Sequence, residues 1–184
     1  AFQDYAKRLT QWQEKALREA KLQSSWSAPN EAYETACREF LQRLLLSPDG
    51  LALRQSIGAT ANRIAPAGAL NSLAQTLLRM TVPGVPDLYQ GTEFWDFSLV
   101  DPDNRRPVDY PARERALGES VALTELLAQW QDGRIKQALI AQVLMLRNQH
   151  PDLFSEGRYQ PLDVIGDQAA HVLVFAREKG GKRA

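Results

Sequence analysis

Residues 81–109 read TVPGVPDLYQGTEFWDFSLVDPDNRRPVD, and the rest of the chain is interpreted around them. On both sides the sequence carries helical periodicity; inside this stretch the periodicity stops. Tyr89 and Trp95 offer flat apolar faces, while Asp87, Glu93, Asp96, Asp101 and Asp103 offer carboxylates. Gln90 and Asn104 carry amides that both donate and accept hydrogen bonds. Arg105 and Arg106 carry planar forks that hold carboxylates or polarised hydroxyls in a set orientation. A sugar needs this combination, an aromatic for its ring face and bidentate partners for its rim of hydroxyls. The plainer reading of a loop rich in Pro, Asp and Asn is a solvated connector whose acids cap turns. Against it stand the loop's length, its aromatics, its adjacent arginines, and the short apolar strand expected just before it, Val85 to Tyr89.

Upstream, residues 2 to 23 predict an amphipathic helix, with Phe2, Tyr5, Leu9, Trp12, Ala16 and Ala20 on one stripe. Its other face carries Lys7, Arg8, Glu14, Lys15, Arg18 and Glu19 and reads as a solvated face with (i, i+4) pairs. Pro29 and the acids Glu31 and Glu34 introduce a second helix reaching about Leu46. Ser47-Pro48-Asp49-Gly50 reads as a turn with Ser47 as N-cap. The next helix places Leu53, Ile57, Ala61 and Ile64 inward and stops before Pro66. Another then spans about 68 to 80, with Leu70, Leu73, Ala74, Leu77 and Leu78 on one face.

Downstream, Pro111 opens a helical region, and a strong helix runs from about 134 to 149, with Ile135, Leu139, Val143 and Leu146 inward. After Phe154 the pattern changes to strands at Tyr159 to Val164 and Ala170 to Arg177. The spacing divides the chain into residues 1–80, 81–154 and 155–184. The expected architecture is mainly α, with about six to eight helices, one isolated strand and a small antiparallel β piece at the end.

Charge and composition narrow the function classes. The 22 basic and 22 acidic residues balance, so no global field recruits nucleic acid or an anionic membrane. The single cysteine, Cys37, excludes an internal disulfide framework and points to a reducing compartment, the cytoplasm. No apolar run approaches the roughly 20 residues that span a bilayer. No cofactor is called for, and His150 has no second ligand nearby, so no metal is expected.

The run PGVPDLYQGTE resembles the end of the eighth barrel strand in α-amylase superfamily enzymes, with its tyrosine–x–glycine–x–glutamate at Tyr89, Gly91 and Glu93. The longer GTEFWDFSLVDPDNRRPVDY is more specific and resembles the maltooligosyl trehalose synthases, as do KLQSSWSAPNEAYE (21–34), NSLAQTLLRMTVPGVPD (71–87) and LRNQHPDLFSEGRYQPL (146–162). These enzymes turn the reducing-end α-1,4 bond of a maltooligosaccharide into an α,α-1,1 bond. The resemblance implies a helical segment of a (β/α)8-barrel enzyme. It would comprise the last barrel strand with its loop, the closing helices and the start of a C-terminal β domain.

The superfamily's catalytic carboxylates follow the fourth, fifth and seventh strands, which lie upstream of the part resembled. No residue here inherits a catalytic role, and the chain alone is expected to be inactive. By motif match, a substrate-binding role passes to Tyr89, Gln90, Glu93, Trp95, Asp101, Asp103, Asn104, Arg105 and Arg106. The implied partner is a maltooligosaccharide in the intact enzyme. An unpaired Val85–Tyr89 edge would also invite a non-native dimer. Two other readings compete: a related α-glucan hydrolase or transferase, and a non-catalytic helical module with a carbohydrate-binding loop.

Overall fold

The computed structural model describes residues 2–184, which form two compact units. The first comprises the chain up to Ala67 together with Phe97–Pro107; the second comprises Gly68–Asp96 and Val108–Ala184. The division falls inside one long helix and again inside the aperiodic stretch.

In the first unit, α1 (Phe2–Ala20) packs on α2 (Glu31–Leu46). α1 ends three residues earlier than its periodicity predicts because Lys21 turns into the left-handed region at φ 55. That conformation closes a helix by redirecting the backbone away from the next helical hydrogen bond. Asn30 caps α2, its side chain accepting from the Tyr33 amide at 3.2 Å. The connection between the helices is tied by Glu34, whose carboxylate takes two bonds from Arg18, at 2.9 and 2.8 Å, and one from the Ser24 hydroxyl. The charged face of α1 is therefore not simply solvated. Arg8, Lys15 and Arg18 are each half-buried, and all three bind partners outside their own helix.

Ser47 does not cap with its side chain; its hydroxyl donates back to the Arg43 carbonyl at 2.7 Å and finishes α2. After a 3-10 turn at Pro48–Gly50, α3 runs unbroken from Leu51 to Thr81, through Pro66, where a break was expected. Proline removes one bond, to the carbonyl four residues earlier. Asn62, which carries that carbonyl, is exposed and open to hydration, and the alanines around Pro66 favour helix. The expected inward faces also differ. Leu53, Ile57, Ile64 and Leu70 are half exposed or more, and α3 buries only Thr76 and Met80, near its end.

In the second unit, α4 (Tyr110–Gly118), α5 (Leu123–Ala128) and α7 (Pro151–Ser155) each pack against α6 (Arg134–Gln149), and a core of Met80, Ile140 and Val143 joins α6 to the end of α3. Leu88 and Leu139 pack against it. α6 matches its expected span and buries Ile135, Ile140 and Val143. Val85 to Tyr89 forms no strand. Pro83 and Pro86 have no amide to donate, and Val85 is 97% exposed, so the segment is held by Leu88 rather than by a ladder. The sheet edge on which dimer pairing was predicted is thus missing.

The C-terminal β piece has three antiparallel strands, β1 (Arg158–Pro161), β2 (Phe175–Lys179) and β3 (Lys182–Arg183), with β2 central. Both predicted strands are shorter, and Ala169–His171 is a 3-10 turn instead. Gly180 and Gly181, both at positive φ, form the two-residue loop between β2 and β3. Paired positive φ values are what tight hairpins require, and glycine meets them without a Cβ penalty. Tyr159 and Phe175 stack across β1 and β2 with centroids 4.9 Å apart.

Candidate functional site

The stretch from 82 to 109 has little backbone pairing of its own, so its polar groups need other partners. Cations from neighbouring elements supply many of them. In the second unit, Arg147 donates to the Met80 carbonyl at 2.6 Å, Arg177 to Thr81 at 3.1 Å, Arg113 to Gly91, and Lys136 to Phe94 at 3.4 Å. In the first unit, Arg8 donates to the Phe97 carbonyl at 2.9 Å and Lys15 to that of Asp101. These six basic side chains hold seven carbonyls in and beside an irregular segment, Arg113 also reaching that of Asp109 at 3.0 Å. The sequence identifies the segment's own capable residues but not these partners, because an arginine on a helix looks the same whether it faces water or a loop.

The nine expected ligand residues divide between the units. Tyr89, Gln90, Glu93 and Trp95 lie in the second. The Tyr89 carbonyl closes a turn, accepting from the Thr92 amide at 3.1 Å and hydroxyl at 2.7 Å, while its ring and Gln90 stay exposed. Glu93 is half-buried and paired with Arg113 at 3.1 Å; the same guanidinium stacks on Phe94 at 4.7 Å. Trp95 is already engaged. Its indole N–H donates to the Trp130 carbonyl at 2.7 Å, its ring meets Trp130 edge-on at 6.4 Å, and the Lys136 ammonium lies 6.0 Å from its centroid. Burial lowers the pKa of Lys136, assisted by the like charge of Arg79 and opposed by Asp96 and Glu93. Gly133, at φ 84, lets α6 begin hard against the Phe94–Trp95 backbone.

Asp101, Asp103, Asn104, Arg105 and Arg106 lie in the first unit. Asp103 is the hub. Arg8 grips its carboxylate with two bonds, at 2.8 and 2.7 Å, the Leu99 amide donates at 2.7 Å, and Arg106 approaches at 3.1 Å. The Arg8 bonds, helped by the Leu99 amide and the nearby Arg106 charge, hold the Asp103 carboxyl at about 2, although burial works the other way. Arg106 also donates to the Asp103 backbone carbonyl at 3.0 Å, and its side chain remains half exposed. Asp101 pairs with Arg105 at 2.5 Å in the open. The Asn104 side-chain oxygen is buried without a hydrogen-bond partner.

The structure therefore sorts the nine. Glu93, Trp95 and Asp103 are bound into the protein, Asp101 is paired with Arg105 and the Asn104 oxygen is buried, whereas Tyr89, Gln90, Arg105 and Arg106 present groups outward. Tyr89 and Gln90 can stack on a ring face and hydrogen-bond hydroxyls, and the two arginines of the other unit can donate to hydroxyls or anions.

Comparison with known proteins bears on the whole chain. No family model matches. Two Mycobacterium tuberculosis sequences, from strains CDC 1551 / Oshkosh and H37Rv, each provisionally named a maltooligosyl trehalose synthase, are 44% identical over 170 residues. That covers 92% of this chain and 20% of each relative. A crystal structure of maltooligosyl trehalose synthase superposes with a TM-score of 0.81 at 33% identity, covering 95% of this chain and 23% of that one. The maltooligosyltrehalose synthase of Arthrobacter ramosus gives 0.77 at 35%, covering 94% and 22%. No helix among the described residues is long and apolar enough to cross a membrane. The chain spans about a fifth of the length of the relatives it matches, and along nearly all of its own length it is homologous to the maltooligosyl trehalose synthases.

Proposed function

We propose that this chain is the C-terminal segment of an intramolecular transglycosylase that converts the reducing-end α-1,4 bond of maltooligosaccharides into an α,α-1,1 bond. The observation that carries the reading is the 44% identity sustained over 92% of the chain. The exposed apolar residues of α3, among them Leu53, Ile57 and Leu70, fit a segment whose packing partners lie in further polypeptide.

In this reading the segment supplies no nucleophile and no general acid. Retaining chemistry needs two carboxylates flanking one bond, and these belong to the upstream barrel. A glycosyl-enzyme forms there with release of glucose, whose anomeric hydroxyl then attacks to make the new bond. The loop's part is to grip the glucose and exclude water, favouring transfer over hydrolysis. Tyr89, Gln90, Arg105 and Arg106 contact sugar, and Glu93, Trp95, Asp103 and Asn104 shape the loop that presents them; Asp101 orients Arg105.

Two assays test this. The purified chain, incubated with maltopentaose, yields neither a trehalose-ended nor a hydrolysed product; turnover would mean that the catalytic acids lie within it. A chimera in which these 184 residues replace the matching fifth of the Arthrobacter ramosus enzyme makes the trehalose-ended product. A folded chimera that only hydrolyses would assign the segment to a related glucan hydrolase instead.

A further inference from the structure

The last two carbonyls of α3 are held by guanidinium groups from two different elements. Met80 accepts from Arg147 of α6, and Thr81 accepts from Arg177 of β2. Cations at a helix C-terminus offset its partial negative charge, but Arg177 does more than that. It is 2% exposed, and its other terminal nitrogen donates to the Phe154 carbonyl at 3.0 Å and to Gly157 at 2.8 Å. Among the described residues no carboxylate pairs with it, and its Nε has no partner. Burying a guanidinium on carbonyls alone is a costly way to fill space that an apolar side chain could fill. What the arginine adds is direction. It joins two places distant in sequence, the end of α3 at Thr81 and the short turn from α7 into β1 at Phe154 and Gly157.

The stretch bearing Tyr89 and Gln90 leaves α3 one residue after Thr81. We propose that Arg177 is a positioning residue, tying the C-terminal sheet to the end of α3 and thereby setting where the ligand stretch departs. The link to sugar rests on the function proposed above; the anchor itself does not.

Amide hydrogen exchange on the 184-residue chain tests the anchor, using Arg177→Lys, Arg177→Met and, as a control, the exposed Arg158→Met. In Arg177→Met, exchange of the hydrogen-bonded amides at 77–82 and of Thr92 accelerates roughly tenfold or more, while the helices of the first unit and the middle of α6 keep their rates. Lysine retains the charge but reaches fewer carbonyls, so Arg177→Lys gives a smaller acceleration confined to the same residues. If Arg177→Met does not fold, the lysine variant decides. Wild-type exchange at 77–82 and Thr92 in a folded Arg177→Lys chain, or acceleration spread evenly through α6, overturns the proposal. In the chimera, Arg177→Lys raises KM for maltopentaose more than Arg158→Met does. Altered exchange with an unchanged KM would leave the anchor standing and remove the sugar-binding role of the stretch.

Discussion

Residues 82–96 and 97–107 are consecutive, and neighbouring cations hold backbone carbonyls in both, but only the second contains a 3-10 turn, at Asp103–Arg105, and each half leans on a different main partner. In 82–96 carbonyls and aromatic rings do most of the holding, with Glu93 adding one ion pair: Arg113 meets Gly91, Phe94 and Glu93, and Lys136 meets Phe94 and Trp95. In 97–107 the stretch supplies its own anion, Asp103, which collects Arg8, Arg106 and the Leu99 amide. The difference bears on how loop acids are read. A carboxylate in a sugar-binding loop is as able to be the ligand of a neighbouring arginine as the ligand of a substrate, and Asp103 is spent on the first task.

The largest effect should come from the tighter backbone contact, at Gly133. A Cβ there would sit 2.8 Å from the Trp95 nitrogen and 2.9 Å from Phe94 Cβ, in a left-handed conformation at φ 84. Neither neighbour is the flexible end of a side chain. Gly133→Ala is expected to cost about 2–4 kcal/mol, from conformational strain plus overpacking. Thermal unfolding should register a loss of roughly 5–10 °C for a chain of this size. A change below about 2 °C would show that 94–95 can shift, and that this half of the stretch is the looser one.

Asp103→Asn comes next. It leaves Arg8 without a carboxylate and replaces charge-assisted bonds by weaker ones, a loss of about 1–3 kcal/mol for a pair still partly in contact with water. The sign of its pH dependence follows from the Asp103 carboxyl lying at about 2, below its ordinary value of 3.8. The ionised form is favoured in the folded state, so the stabilisation is complete above pH 4 to 5 and is lost as pH falls from about 4 through 2. Acid titration of Asp103→Asn should therefore lose part of the steepness in that window. Glu34, held at about 2 chiefly by Arg18, and Glu156, lowered by the Lys179 hydrogen bond, contribute to that dependence in both proteins. Identical acid profiles would mean that Arg8 does not hold Asp103 in solution.

How much of this was legible in the sequence depends on whether the cause was local. α2 and α6 follow their patterns because caps and periodicity act within a few residues, as Asn30 does at Tyr33. The break expected at Pro66 failed because one missing bond at an exposed turn does not stop a helix already formed on both sides. The Val85–Tyr89 strand failed because a strand is defined by its partner, which no local signal reports. The third strand was in reach: Gly180-Gly181 between Lys179 and Lys182 is a hairpin signal. In the site, side-chain chemistry was legible and allegiance was not. Nothing near Arg8 announces a partner 95 residues away, and nothing near Trp95 announces that its indole N–H is committed to Trp130.

The smallest effect is the one that best isolates ligand binding. Arg105 meets Asp101 at 2.5 Å, but their side chains are 70% and 47% exposed, so the pair contributes at most about 0.5 kcal/mol after solvent screening. Arg105→Gln should leave the unfolding temperature within about 1–2 °C of the parent's. Asp103→Asn mixes stability with whatever it does to sugar; Arg105→Gln does not. If Arg105 contacts the transferred glucose, the chimeric enzyme carrying Arg105→Gln will release more glucose by hydrolysis per trehalose-ended product, with its stability intact. An unchanged ratio at unchanged stability would place Arg105 outside the sugar site and leave Arg106, already leaning on Asp103, as the remaining cation of the pair for that role.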